Sequence, residues 1–216
     1  MALTLKGSRS VSILILAAAT ASAWAQDKGW YLGASVGQSI IDASSAAIDE
    51  AIVGRGFTAA ATQADDTAPG WKLYAGYRAL RYFAVEGTYV DLGKTSFDTQ
   101  TLGPPSQLHG NVRADALSLD GMGLLPIGER FMVFARAGLF RWDSDAKLPT
   151  VVDGQGTLVP EDGDGANLKL GVGGNLNLSR HFSLRFDYEW YRGVGQEDET
   201  GTGDVDFYSA GFQLRF

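Results

Sequence analysis

A chain of 216 residues with 45% hydrophobic content is sized for one domain, and its mean hydropathy of -0.05 gives no bulk membrane signal. The formal charge of -7, with no basic run, argues against nucleic-acid binding, and the lack of cysteine excludes disulfides, thiol chemistry and zinc–cysteine clusters. A balanced hydropathy still admits a membrane barrel, in which apolar and polar residues alternate and average out.

Taken in order, the chain opens with Lys6 and Arg9, an apolar run from Val11 to Ala19, and the small-residue site Ala23-Trp24-Ala25. That layout predicts a secretory signal peptide over residues 1–25, cleaved after Ala25, followed by one barrel domain over 26–216. The apolar run is too short to span a bilayer as a helix, which takes about 20 residues. Its removal takes two cations and no acid, so the mature charge is more negative still.

Eight runs of alternating residues follow, and a period of two means β-strands with opposite faces. The first, Gly29–Ile40, sets Trp30, Leu32, Ala34 and Val36 against Gly33, Ser35 and Gly37. Residues 41–69 read as a long loop with a candidate short helix over Ser44–Val53. The second, Gly70–Arg78, sets Trp71, Leu73, Ala75 and Tyr77 against Lys72, Tyr74, Gly76 and Arg78; the third, Phe83–Leu92, carries Glu86 opposite Val85 and Tyr89. The loop 93–111 holds the breaker Gly103-Pro104-Pro105. The fourth, Val112–Leu125, opposes Leu117 and Leu119 to Ser118, Asp120 and Met122. The fifth, Arg130–Trp142, opposes Phe131, Val133 and Leu139 to Phe134, Arg136 and Phe140. After an acidic, Gly-rich loop 143–165 comes a hairpin, ANLKLGVGGNLNLSRHFSLRFDYEWY, over residues 166–191. It places Lys169, Arg185, Asp187 and Glu189 on one face and Leu170, Val172, Phe186 and Trp190 on the other. The eighth run, Asp204–Phe216, ends the chain with Tyr208, Phe212, Leu214 and Phe216 on one face and Arg215 on the other.

Connections alternate: three short ones (79–82, 126–129, 179–181) and four long ones (41–69, 93–111, 143–165, 193–203). All short turns therefore lie at one end of the strands, as in outer-membrane barrels with short periplasmic turns and long extracellular loops. Aromatic residues sort to the two ends of the apolar face: Trp30, Phe83, Phe131, Phe182 and Phe216 at the short-turn end, Trp71, Tyr89, Trp190 and Tyr208 at the other. Two such girdles, with a polar face rich in small residues, predict an all-β, eight-stranded antiparallel up-and-down transmembrane barrel.

The blocks GWYLGASVGQ, GWKLYAGYRALRYFAVEGTYVDLG, FMVFARAGLFRWD, LGVGGNLNLSRHFSLRFDYEW and DVDFYSAGFQLRF resemble the OmpA-like transmembrane domain over nearly the whole mature chain. The resemblance implies an outer-membrane location with both mature termini periplasmic. It makes Tyr208, Phe212, Leu214 and Phe216 the signature read by the barrel-assembly machinery. The chain stops at Phe216 without the family's peptidoglycan-binding domain.

Parity turns Lys72, Arg78, Glu86, Asp120, Arg136, Lys169, Arg185, Asp187, Glu189 and Arg215 into the barrel, where charges need partners. In the resembling family such charges plug or gate the lumen. Glu86 and Arg136 match two of those positions, whereas Met122 and Asn175 replace charges at two others. Arg113, Arg141 and Arg192 fall on the lipid face near the long-loop ends, suited to lipopolysaccharide phosphates. Gly33-Ala34-Ser35-Val36-Gly37 fits a nucleophile-elbow spacing but lies inside a strand. His181 and Ser183 lie close in sequence but in a short turn, away from an outer-leaflet substrate. Glu161-Asp162-Gly163-Asp164 and Glu197-Asp198-Glu199 lack EF-hand spacing. No catalytic residue, metal site or cofactor is therefore assigned. The expectation is a monomeric, non-enzymatic barrel in contact with outer-membrane lipid and lipopolysaccharide, serving a structural or surface-interaction role. The alternatives are a narrow channel for small solutes and a lipid A-modifying enzyme.

Overall fold

The computed structural model describes residues 28–42, 53, 57, 59–64, 67–102, 106–152, 155–194 and 203–216. The signal-peptide region, most of the candidate helix and the Glu197-Asp198-Glu199 run lie outside the described residues.

Among the described residues nine strands follow one another: β1 Gly29–Asp42, β2 Ala59–Ala64, β3 Thr67–Leu80, β4 Phe83–Leu102, β5 Ser106–Ile127, β6 Phe131–Val152, β7 Gln155–Asn177, β8 Phe182–Val194 and β9 Gly203–Arg215. Each of the eight long strands pairs antiparallel with its neighbour, and β1 closes on β9. The result is a closed eight-stranded barrel. Among the described residues the additional strand, β2, pairs with the far end of β4 alone, from Ala59 against Leu102 to Ala64 against Phe97. It occupies part of the stretch read from sequence as one long loop.

Two further stretches read as loops are strands. The β4–β5 ladder continues past a bulge at Asp91–Lys94 to Thr101 against Ser106, and the β6–β7 ladder runs without a slip to Val152 against Gln155. Crossing a bilayer takes about 9–11 residues of strand. β6 and β7 have 22 and 23, so about half of each stands beyond the apolar band as a hairpin. Residues 143–165 lack apolar alternation because neither hairpin face rests on an apolar phase. The backbone ladder holds these strands, with Ser144 Oγ donating to the Gly163 carbonyl oxygen at 3.4 Å, and the apolar pattern does not report it.

The apolar face points outward: Trp30, Leu32, Val36, Leu117, Leu119, Leu139, Leu168, Phe186 and Phe212 are all exposed. Girdle aromatics stack across strands, Trp30 on Tyr77 at 5.0 Å at one rim, with Trp71 on Tyr89 at 5.5 Å and Tyr188 on Tyr208 at 4.9 Å at the other. Inverting the usual order, the exterior is apolar and the largest fully buried side chains include Arg185, Lys72, Lys169, Glu86 and Glu189.

Candidate functional site: a charged layer inside the barrel

The lumen has three layers. At the short-turn end Tyr31, Tyr74, Ala84, Met122, Leu124, Met132 and Phe134 form an apolar cluster. At the long-hairpin end Val90, Leu92, Ala116, Phe140, Trp142, Tyr191, Val205 and Phe207 form another. Between them lie four cations and four anions, all buried: Lys72 on β3, Glu86 on β4, Asp120 on β5, Arg136 on β6, Lys169 on β7, and Arg185, Asp187 and Glu189 on β8.

Arg136 is the hub. Its Nη1 lies 3.0 Å from Glu86, 3.0 Å from Glu189 and 3.7 Å from Asp120, and its Nη2 lies 2.5 Å from Asp187. Arg185 forks onto Glu86 with contacts of 2.7 and 2.9 Å and onto Asp187 with two of 3.1 Å, while its plane sits 4.1 Å from the Tyr74 ring centroid. Lys169 bridges Asp120 at 2.7 Å and Glu189 at 3.0 Å; Lys72 bridges Asp187 at 3.2 Å and Glu189. Every charge thus meets at least two of opposite sign, and the layer sums to zero. Bidentate guanidinium pairing is what makes such burial bearable, since an unpaired charge there costs several kcal/mol.

Glycines make the room. A Cβ on Gly171 would stand 3.1 Å from Arg136 Cγ and 3.2 Å from Glu189 Cγ, and one on Gly165 would stand 2.8–2.9 Å from the indole of Trp142. Phe134 lies over Gly173 and Tyr74 over Gly33 in the same way, each directly across the ladder. The inner face is therefore richer in aromatics than its sequence reading as a small, polar face. The readable signal was the inward parity of Tyr74, Phe134 and Phe140; the cross-strand glycines opposite these rings needed the register.

Two predicted lumen cations stand apart from the layer. Arg78 and Arg215 lie at the short-turn mouth, half-buried and without a carboxylate partner among the described residues. Tyr31 donates its hydroxyl to Met122 Sδ at 3.3 Å, and Asn175 is buried with its Oδ1 unpartnered.

The family model for the OmpA-like transmembrane domain matches residues 25–216. The chain belongs to that family. A search of curated proteins finds no match. Among solved structures, the OmpA-like barrel is similar to OprG from Pseudomonas aeruginosa, with 13% identity, 87% of this chain and 96% of that one covered, and a TM-score of 0.56. It is also similar to Neisserial surface protein A, with 12% identity, coverage of 87% and 97%, and a TM-score of 0.54. At such identities the likeness concerns the fold: an outer-membrane β-barrel.

On the outside of this OmpA-like barrel, Arg113 pairs with Asp91, and Arg141 with Asp164 at 3.0 Å. Arg192 instead stacks on Trp190 at 4.7 Å. Tyr208, Phe212, Leu214 and Phe216 all face outward on or just beyond β9, with Phe212 against Phe182 at 5.3 Å. Ser183 is buried and donates to Asn177 Oδ1 at 2.9 Å, while His181 is exposed in the turn, where its backbone N–H donates to Ser179 Oγ. The two do not form a hydrogen-bonded pair. Ser35, in the elbow-like motif, lies in the middle of β1 rather than at a strand-to-helix turn.

Proposed function

We propose that this barrel is a plugged, non-enzymatic scaffold that holds the β4–β5 and β6–β7 hairpins outside the cell, with its short turns and mature termini in the periplasm. The observation that carries the reading is the layered lumen. A solute would have to cross an apolar layer, a neutral layer of paired buried charges, and a second apolar layer. The asymmetry between three tight turns and long projecting hairpins supports the orientation, because the longer connections of such barrels are extracellular.

The same reading covers the partners. The outward belt of aromatics fits outer-membrane lipid, and the alternating end of β9 fits recognition by the barrel-assembly machinery during insertion. Of the three lipid-face arginines, Arg192 is the best placed for a lipopolysaccharide phosphate, since Arg113 and Arg141 already have carboxylates. The barrel acts as a monomer: closure through β1 and β9 leaves no membrane-embedded edge to pair with a second copy.

Recording in planar bilayers tests the plug. The wild-type protein is expected to be silent. Reproducible conductance that shifts in Glu86→Ala would overturn the reading in favour of a narrow channel.

A further inference from the structure

The short-turn rim carries an exposed arginine in each of its turns. Arg81 lies between β3 and β4, Arg130 between β5 and β6, and Arg180 between β7 and β8. Each comes just before an outward aromatic of the girdle, Phe83, Phe131 and Phe182 in turn. The turns occupy alternate strand junctions, so the arginines are spread around the rim rather than bunched at one point. Among the described residues none of the three is paired with a carboxylate; the Arg81 guanidinium lies over the Tyr82 ring at 5.5 Å. Arg78 and Arg215 differ, because their donors turn onto neutral oxygens of the protein itself. They add charge to this end without presenting it outward.

The whole end is positive. Against Lys28, Arg78, Arg81, Arg130, Arg180 and Arg215, the described residues there set one acid, Glu129. The other end is the reverse, with Asp91, Asp115, Asp143 and Asp164 in register across β4 to β7. Residues just past an aromatic girdle stand at headgroup depth. An exposed arginine there lays its stem along the apolar rim and its guanidinium among phosphates. A zwitterionic headgroup brings its own cation to a rim already positive. A headgroup with net negative charge does not, and each arginine near it favours it by about fivefold.

We propose that Arg81, Arg130 and Arg180 form an interaction surface for anionic phospholipid headgroups, so that the barrel enriches such lipids around its short-turn rim and not around the other. Calling that leaflet periplasmic rests on the orientation proposed above; the lipid preference does not.

The test reads lipid contact at each rim. Trp30 faces outward at the short-turn rim, and Trp71, in register with Asp91, faces outward at the other. Two full-chain variants keep one reporter each, through Trp71→Phe or Trp30→Phe, and both carry Trp24→Phe and Trp190→Phe. Trp142 stays in both, buried in the lumen away from lipid. Each is refolded into vesicles of equal parts phosphatidylglycerol and phosphatidylcholine, with bromine on the acyl chains of one lipid or the other. The ratio of the two quenching efficiencies gives the local enrichment. At Trp30 the ratio is expected to favour phosphatidylglycerol severalfold, and at Trp71 to lie at or below unity. Arg81→Gln with Arg130→Gln and Arg180→Gln should at least halve the Trp30 excess and leave Trp71 unmoved. Sodium chloride at about 1 M, where charges are screened within about 3 Å, should remove the excess as well. Equal ratios at the two rims, a Trp30 excess untouched by the triple substitution, or one indifferent to salt would overturn the proposal. Both leaflets have the same composition, so none of these results depends on which way the barrel faces or whether it conducts.

Discussion

Replacing Arg136 with methionine separates a dry charged layer from a hydrated one. The substitution keeps an unbranched side chain but removes the only cation that reaches all four layer carboxylates. Glu86 then keeps Arg185, Asp120 keeps Lys169, and Asp187 and Glu189 keep two cations each, yet the layer carries an uncompensated negative charge. Removing one partner of a buried ion pair costs about 3–5 kcal/mol. That lowers the folding equilibrium constant by roughly a hundredfold to a few thousandfold. The assay is urea unfolding in phosphatidylcholine vesicles, followed by tryptophan fluorescence. Arg141→Ala is the control, since its pairing with Asp164 is exposed and such pairs are worth about 0–1 kcal/mol. Arg136→Lys should fall between, because one ammonium cannot span carboxylates drawn from three strands. Adding Glu189→Gln to Arg136→Met restores neutrality and should recover part of the loss; strict additivity would assign the cost to packing instead. If Arg136→Met costs no more than Arg141→Ala, water reaches the layer, and the argument for a plug fails.

Gly173→Ala should destabilise the barrel by about 1–3 kcal/mol through overpacking, since its Cβ overlaps both the Phe134 ring and the Phe186 carbonyl oxygen. Gly123→Ala, with nothing within 4 Å, should be neutral in the same vesicle assay, and equal costs for the two would refute the glycine–aromatic account. At the β4 bulge, Gly93 has φ of 92° and its Cβ would strike the Pro69 carbonyl, so Gly93→Ala should loosen that rim and speed amide exchange there, unlike Gly123→Ala. Asp115 lies beyond the Tyr89 girdle, where partial burial and then the charges of Asp143 and Asp91 push its carboxyl above the ordinary range. A raised value means its contribution to stability is fullest at acid pH and is lost as pH rises through that value; carboxyl NMR should show the titration falling in Asp143→Asn, and an unmoved titration would refute the coupling. Alanine at Arg113, Arg141 and Arg192 together should slow lipopolysaccharide-dependent refolding, most of the effect coming from Arg192; unchanged refolding would refute the contact.

Alternation made the barrel legible because lipid and lumen impose opposite demands on successive residues of one strand. Trp30, Leu32 and Val36 against Gly33 and Ser35 is enough to assign β1 its two sides. Where neither side meets an apolar phase the demand vanishes, so β2 and the outer halves of β4 to β7 read as loop although their ladders are continuous. Parity likewise turned Arg136 inward but said nothing of its partners. Its carboxylates come from β4, β5 and β8, and only β5 adjoins β6. Contacts across a lumen depend on where the barrel closes, and closure is a property of all eight strands together. Trp142, Tyr191 and Phe207 escaped notice for a related reason. An inward aromatic looks misplaced until the register sets Trp142 over Gly165, or brings Phe207 to Gly70.

The two ends of the barrel treat their arginines differently, and the difference fixes a route. At the long-hairpin end Asp91, Asp115, Asp143 and Asp164 stand in register across β4 to β7, and Arg113 and Arg141 are tied to members of that row. At the short-turn end Arg78 and Arg215 meet neutral oxygens only, among the described residues. An anion approaching from the hairpin side meets an acidic rim, and on the plugged reading it then meets two apolar layers and a closed set of ion pairs. From the short-turn side it meets two guanidiniums at the mouth. In vesicles holding the barrel in one orientation, phosphate that perturbs the Arg78 and Arg215 Nε signals in solid-state spectra should therefore do so only when supplied on the short-turn side. A shift produced from the hairpin side alone would require a path through the lumen, and would refute the plug.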